Sequence, residues 1–552
     1  MARQRAIRSL QPKRPAPAQP EQRRETKQEM ASLGAAPTSG AAPTSGPASG
    51  ARSNATSPAV TGPAATGRAV TGHAATGEPP YPDLGRLAAE AVERALALGA
   101  GDAEAVVIGS EEFHANVRLG QVEQLTESGS RALGLRVFFA VDPQDPSAGC
   151  RTASTSTSDL SAEGLKRIID SAVQLARVTG PDPFAGLPAR EAFGSHDPGS
   201  LGLYFDDVAA MPANERIAAA REAEAAAMAY DPRIQNSAGA DFSANTMWRS
   251  MVNSRGFSAA YRSSYCGFSV APIARDAAGS MQRDYWYSSA RAARLLQSPE
   301  EVGRIAAQRA LRRLGARRVA TQRCPVVFSA EMARGLMSSL LGAANGDAIY
   351  RKSSIFADRL GEQVAGENIT MVDDGTMVFE HRPPGGGELR AGGFGTSPFD
   401  GDGLPTRRTV IVERGVLRSL MLNTYTARKL SMNSTGKASR GLAGAPGIGG
   451  GNYFLEPGNL TPEQIIAGVS SGFYVLQTMG HGVNLVTGDY SVGASGLWIE
   501  NGELAFPVEQ ITLAGNLKEI FHHIAAIGND LEFRGAGAVP TLRVEGLTVA
   551  GS

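Results

Sequence analysis

Seven histidines could hold a metal or move a proton: His73, His114, His196, His381, His481, His522 and His523. No pair stands four or five residues apart, the spacings that would bring two imidazoles to one helical face. His522 and His523 are adjacent, so on a helix they point about 100° apart and read as a polar helix face. His481 lies between Gly480 and Gly482, where the backbone can approach a ligand closely. Nucleophiles are equally sparse. There is no Gly-x-Ser-x-Gly elbow, and Cys150, Cys266 and Cys324 stand far apart with no Cys-x-x-Cys. Thr435-Gly436-Lys437-Ala438-Ser439 hints at a phosphate loop but lacks its first glycine. Gly447-Ile448-Gly449-Gly450-Gly451-Asn452 fails the dinucleotide pattern and is expected to be a flexible or ligand-facing loop. Asp373-Asp374 and Asp400/Asp402 are paired carboxylates. Aspartate beside glycine points to turn chemistry more than to acid–base work.

The composition narrows the classes further. The 552 residues allow about three to five domains. Lysine plus arginine and aspartate plus glutamate number 54 each, so the net charge is zero, which argues against nucleic acid as a partner. No apolar run is long enough to span a membrane. The scattered cysteines fit a reducing, cytoplasmic setting. Residues 1–80 read as a disordered, low-complexity tail. Its start is basic, Gly-Ala-Ala-Pro-Thr-Ser occurs twice, and units ending in Thr-Gly follow.

Apolar periodicity predicts the elements that position these residues. Leu84, Leu87, Ala88, Ala91, Ala95 and Leu98 mark a helix ended by Gly99. Three strands are expected at Ala103–Ile108, Val117–Leu125 and Ala132–Ala140. Leu165, Ile168, Ile169 and Ala172 mark a second helix, and further helices are expected at about 212–229 and 299–314. Strands dominate from Ile234 to about Tyr287, with turns at Gly256 and Gly267. Downstream, Ser329 is placed to cap a helix running to Ala343, with Glu331 at its positive end. Asn501-Gly502 predicts a type I′ hairpin. Asn516 is expected to cap a last helix carrying Leu517, Ile520, Phe521, Ile524 and Ile527. The fold class is α+β: an N-terminal α/β sandwich-like domain over 81–318, with helices on one face of a sheet, then a mostly antiparallel β domain over 319–552 with a few packed helices.

Several stretches in the C-terminal part carry a resemblance. They are Ala348-Ile349-Tyr350-Arg351-Lys352-Ser353-Ser354, Asp358-Arg359-Leu360-Gly361, Ser397-Pro398-Phe399-Asp400-Gly401-Asp402-Gly403, and Asn423-Thr424-Tyr425-Thr426-Ala427-Arg428-Lys429-Leu430. Ser434-Thr435-Gly436, Thr487-Gly488-Asp489-Tyr490-Ser491 and Ile511-Thr512-Leu513-Ala514-Gly515-Asn516-Leu517 continue it. In order and spacing they resemble the TldD/PmbA family (peptidase U62, "modulator of DNA gyrase"), and within it the PmbA/TldE branch. That family implies peptide cleavage. Its catalytic branch carries His-Glu-x-x-x-His on a helix plus a later cysteine, holding zinc. Aligned on Pro325-Val326-Val327 and Gly342, this chain has Ser338 and Ala343 at the histidine positions and Ser339 at the glutamate. No cysteine follows Cys324.

The resemblance therefore implies a chain with no catalytic residues and no metal of its own. It would pair with a TldD-type catalytic subunit carrying zinc, and the two would form a chamber for extended or unfolded peptides, with a homodimer as a further assembly. Strand addition would suit such substrates. Asn345, Tyr350, Arg351, Lys352 and His481 are the candidates to line the channel. Two other readings stay open: an autonomous metallopeptidase with an unconventional site, for example His481 with Asp489, and a non-enzymatic regulatory binding protein.

Overall fold

The computed structural model describes residues 84–145, 148–383, 386–480 and 482–551. The tail expected over 1–80 and the candidate His481 lie outside them. The N-terminal part orders as α1 (Leu84–Ala97), β1 (Asp102–Arg118), β2 (Gln121–Ala140), β3 (Cys150–Thr157), α2 (Ala162–Val178), α3 (Asp206–Ala210) and α4 (Ala213–Ala229). Then come β4 (Ile234–Asn253), β5 (Ser258–Arg275), β6 (Met281–Arg283), β7 (Trp286–Ala290) and α5 (Pro299–Leu311). The strands form one antiparallel sheet in the order β3-β2-β1-β4-β5-β6, with β7 also paired to β5.

Alternation along β1 decides which face the helices cover. Ala103, Ala105 and Val107 pack with α1 and α2, while Phe113, Ala115 and Val117 pack with α4 and α5. All six are odd-numbered, so the four helices lie side by side on one face, as expected. The opposite face carries Val106 and Met251, which meet Phe257 and Phe399. The N-terminal sheet thus docks onto the C-terminal part through its second face.

The three strands expected between 103 and 140 are two long ones. They are joined at Leu119 and Gly120, both of positive φ (49° and 76°). The polar middle of both strands hid their length. Ser110 to Asn116 pairs with Gln124 to Ser130, and most of this part of β2 is solvent-exposed, so no apolar alternation marks it. Gly267 is no turn: it sits mid-strand in β5. A Cβ there would meet the Ser288 carbonyl oxygen at 2.8 Å, so the glycine serves close approach to β7.

The C-terminal part begins with β8 (Gln322–Phe328), α6 (Ala330–Ala343) and α7 (Gly346–Tyr350). It continues through β9 (Met371–Asp374), β10 (Val378–His381), β11 (Leu389–Gly392), β12 (Arg408–Glu413), β13 (Val416–Leu417), α8 (Thr424–Lys429), β14 (Ala438–Ser439), β15 (Gly447–Ile448), β16 (Asn452–Leu455) and α9 (Pro462–Ala467). β17 (Ser471–Met479), β18 (Asp489–Glu500), β19 (Glu503–Asn516), α10 (Leu517–His522), β20 (Ile524–Ile527), β21 (Gly537–Ala538) and β22 (Leu542–Ala550) complete it. One sheet runs β19-β18-β17-β8-β22-β20, and β19 also pairs with β22, which closes five of its strands into a ring. A second runs β13-β12-β9-β16-β21. Only β8–β17 and β16–β21 are parallel among the ladders of these two sheets, so the part is mostly antiparallel with a few packed helices. Asn501 and Gly502 have φ 52° and 82°, the turn their types require. The last helix is shorter than its apolar spacing suggested. It stops at His522, and Ile524–Ile527 forms an edge strand on β22, because a short continuous apolar run fits either state.

Candidate functional site

Helix α6 follows β8 directly. Ser329 occupies its N-cap position, but the hydroxyl makes no capping bond; the Ser329 carbonyl accepts from Met332 and Ala333 instead. Glu331 does more than favour the positive end. Its Oε2 accepts from Arg309 Nη2 at 2.9 Å, and Arg309 also bonds Asp284 at 3.3 Å, tying α6 to the N-terminal part. Ala333, Leu336, Met337, Leu340 and Ala343 face the core. The other face shows Arg334, Gly335 and Ser338.

That geometry places the residues aligned with the zinc motif. Ser338 is exposed and its hydroxyl donates to the Gly335 carbonyl at 2.8 Å. Ser339 is half-buried, and Ala343 is fully buried. Zinc, which such a motif would hold, does not fit these residues: two neutral hydroxyls and a methyl supply no imidazole, carboxylate or thiolate. Among the described residues, no three His, Cys, Asp or Glu side chains stand close enough to hold a metal ion. The thiols are poor donors as well. Burial pushes Cys266 up to about 12 and Cys324 up to about 11, and it also raises Cys150, so all three stay protonated at neutral pH.

The short helix α7 carries the other candidates. Asn345 caps it, its side chain accepting from the Asp347 amide at 3.0 Å. Arg351 Nε pairs with Asp347 at 2.9 Å, and Lys352 pairs with Asp358; both cations are exposed. Lys352 has φ 55°. Tyr350 is exposed and packs under a cation that the sequence reading missed. Lys429 Nζ lies 4.3 Å from the Tyr350 ring centre and 4.4 Å from that of Tyr425. Burial works against the Lys429 charge, but Tyr425, Tyr350 and Asp182 together outweigh it and the pKa is raised. The Tyr425 hydroxyl donates to Asp182 at 2.8 Å. Beside it, Arg428 donates to the carbonyls of Phe184, Gly186 and Leu187. The i, i+4 spacing of Tyr425 and Lys429 was the available signal.

Other motifs resolve into structure. Lys437, in the phosphate-loop lookalike, is buried against Asp373. Asp373 also accepts from the Gly451 amide at 2.8 Å. The 447–452 glycines are therefore not a flexible loop. Gly451 packs so tightly on Gly395 that a Cβ on the latter would meet backbone at 2.2 Å. Asp400 and Asp402 are turn chemistry: Asp400 accepts from the amides of Asp402, Leu404 and Ala438, and Asp402 accepts from Thr424 at the start of α8.

Burial, followed by the Asp402 charge, nevertheless pushes Asp400 up to about 7. The folded chain then holds this proton more tightly than the unfolded chain, so Asp400 favours folding below the usual aspartate range. That contribution is lost as pH rises toward 7. Urea denaturation at pH 5 and pH 7.5 should show this fall, and Asp400→Asn should flatten it.

Residues 103–176, 206–314 and 321–551 match the family models described as PmbA/TldA metallopeptidase domain 1, central domain and C-terminal domain. The chain is 35% identical to "Metalloprotease PmbA" of Escherichia coli O157:H7 across 84% of its own length and 96% of the relative's. The chain belongs to the PmbA/TldD metallopeptidase family. It is also 33% identical to "Metalloprotease PmbA homolog" of Haemophilus influenzae, over 85% and 96% of the two chains. Among solved structures, a protein of Bacteroides thetaiotaomicron described as a modulator of DNA gyrase matches this PmbA/TldD chain with TM-score 0.75 and 25% identity, over 85% and 98% of the chains. TldE of Thermococcus kodakarensis shares the fold, with TM-score 0.71 and 19% identity over 84% and 100%. Among the described residues, no helix is long and apolar enough to cross a membrane.

Proposed function

We propose that this chain is the non-catalytic, TldE-like subunit of a cytoplasmic TldD/TldE-type zinc metalloprotease that cleaves extended or unfolded peptides. It contributes part of the substrate chamber and the assembly surface, and a TldD-type partner supplies zinc. The observation that carries this reading is the chemistry of α6. A hydroxyl turned back on its own helix, a second hydroxyl and a buried methyl stand where the family's catalytic pattern needs two imidazoles and a base. Without them no water is activated at this helix. Tyr350, Arg351 and Lys352 are exposed just past the end of α6, which supports a channel-lining role for them; Asn345 would act by holding the α7 turn.

The test is to purify the chain alone, a TldD-type subunit alone and the two together, and to assay an unfolded peptide with and without a chelator. The isolated chain should bind no stoichiometric zinc and show no turnover. The mixture should co-elute and cleave with chelator-sensitive activity. Chelator-sensitive cleavage by the isolated chain would instead establish the autonomous reading. A stable mixture with no cleavage would leave the regulatory binding protein.

A further inference from the structure

We propose that a cavity between β7, residues 379–381 and 391–394, and residues 532–535 is a pocket for an uncharged aromatic side chain of a bound peptide. This rests on the peptide-handling part of the proposed function and names a side-chain preference for it. The cavity measures about 230 Å³, and Tyr287, Phe379, Phe394 and Phe533 line it. All four rings are only half-buried, so each turns apolar surface toward open space instead of a packed core. Phe379 and Phe533 stand 4.9 Å apart between ring centres at 49°, and Tyr265 meets Phe394 at 5.6 Å. Tyr265 and Tyr285 are exposed and carry the aromatic surface outward. Gly267 beneath them leaves no side chain in the way, since a Cβ there would meet the Tyr265 hydroxyl at 3.0 Å.

The charges at this site decide the chemistry of the occupant. Arg291 lines the cavity, but its guanidinium is spent on the carbonyls of Gly392, Gly393, Leu203 and Phe394. Arg534 pairs with Glu532 at 2.7 Å and lies 4.3 Å over the Trp286 ring. Burial lowers the His381 pKa, so its ring is neutral at neutral pH. Both lining guanidiniums already have acceptors, carbonyls for Arg291 and the Glu532 carboxylate for Arg534, so a charged guest would have to compete with them while losing its hydration. A planar apolar ring meets edge and face contacts on several sides instead. At the 532–535 edge of the cavity, Arg334 of α6 reaches to 3.5 Å from where a Gly535 Cβ would stand.

The test uses the isolated full chain and a fluorescein-labelled, unstructured Gly/Ser/Gln peptide with a single Phe, beside a twin carrying Ala instead. Fluorescence anisotropy should show the Phe peptide bound about ten-fold or more tightly. Phe533→Ala, which removes a wall, and Ser289→Trp, which fills the space, should each abolish the preference in a chain that still unfolds cooperatively. Equal binding of the twins, or a preference that survives in a folded variant of either kind, overturns the pocket. The zinc subunit separates this from the broader reading. If the mixture cleaves both twins equally well, the pocket fails and the proposed function stands. If the mixture cleaves neither while the binding preference persists, the proposed function fails and the pocket stands.

Discussion

Replacing Glu104 by glutamine should cost about 3–5 kcal/mol of stability, read as a lowered denaturation midpoint. Glu104 is fully buried on β1, on the face turned away from the helices. Its Oε1 lies 2.5 Å from both Nε and Nη2 of Arg136, and 2.8 Å from Nη1 of Arg440. The Arg440 contact is a charge pair without hydrogen-bond alignment, since none of its guanidinium nitrogens has an aligned acceptor. One carboxylate therefore compensates two buried cations. Burial already lowers Arg440 to about 10, with Glu104 opposing the shift. Removing the anion strands both guanidiniums in a dry site, and their mutual repulsion adds to the desolvation cost. Because Arg440 comes from the C-terminal part and Glu104 and Arg136 from the N-terminal sheet, the loss should fall on the contact between them. The triple variant Glu104→Gln, Arg136→Met, Arg440→Met should recover much of the loss, since it leaves no charge unpaired. A triple variant no more stable than Glu104→Gln would show that the effect is not electrostatic.

Lys437→Met should be of similar size, about 3–5 kcal/mol. Lys437 and Asp373 are both almost wholly excluded from water. Without the ammonium, Asp373 keeps the Gly451 amide as a donor, but its charge loses its counter-ion in the middle of the β9–β16 pairing. Urea unfolding of Lys437→Met and of the double variant with Asp373→Asn would separate the two costs: the double variant should be the more stable. If Lys437→Met unfolds like the parent chain, the pair is not buried as described. Phosphate should have no effect on either protein, because this lysine is committed to the core and not to a ligand.

Several features were legible from residue types because they depend on local rules. The apolar stripe of α1 runs from Leu84 to Ala95 as its periodicity requires. The Asn501-Gly502 turn needs only the positive φ values that those two residues tolerate. The aspartate–glycine turn at 400–403 follows from short side chains bonding nearby amides. Errors arose where distant partners decide the state. Residues Ile524–Ile527 are a short apolar run that helix and strand both accept, and pairing with β22 selects the strand. Gly267 looks like a turn until β7 is placed across it. Lys437, already rejected as a phosphate lysine for want of the loop's first glycine, gave no sign of its partner, since Asp373 stands 64 residues away.

The sequence alone determined the family, the class of fold and the residue types that stand along α6, because residue identity and order carry all three. Only the tertiary structure decided that Ser338 faces solvent while Ala343 faces the core, that Lys429 sits between Tyr350 and Tyr425, and that four aromatic rings line one cavity. The physical reason is range. Propensity and periodicity act within a few residues, whereas burial, ion pairing and cavity shape arise between segments hundreds of residues apart, whose meeting no local rule specifies.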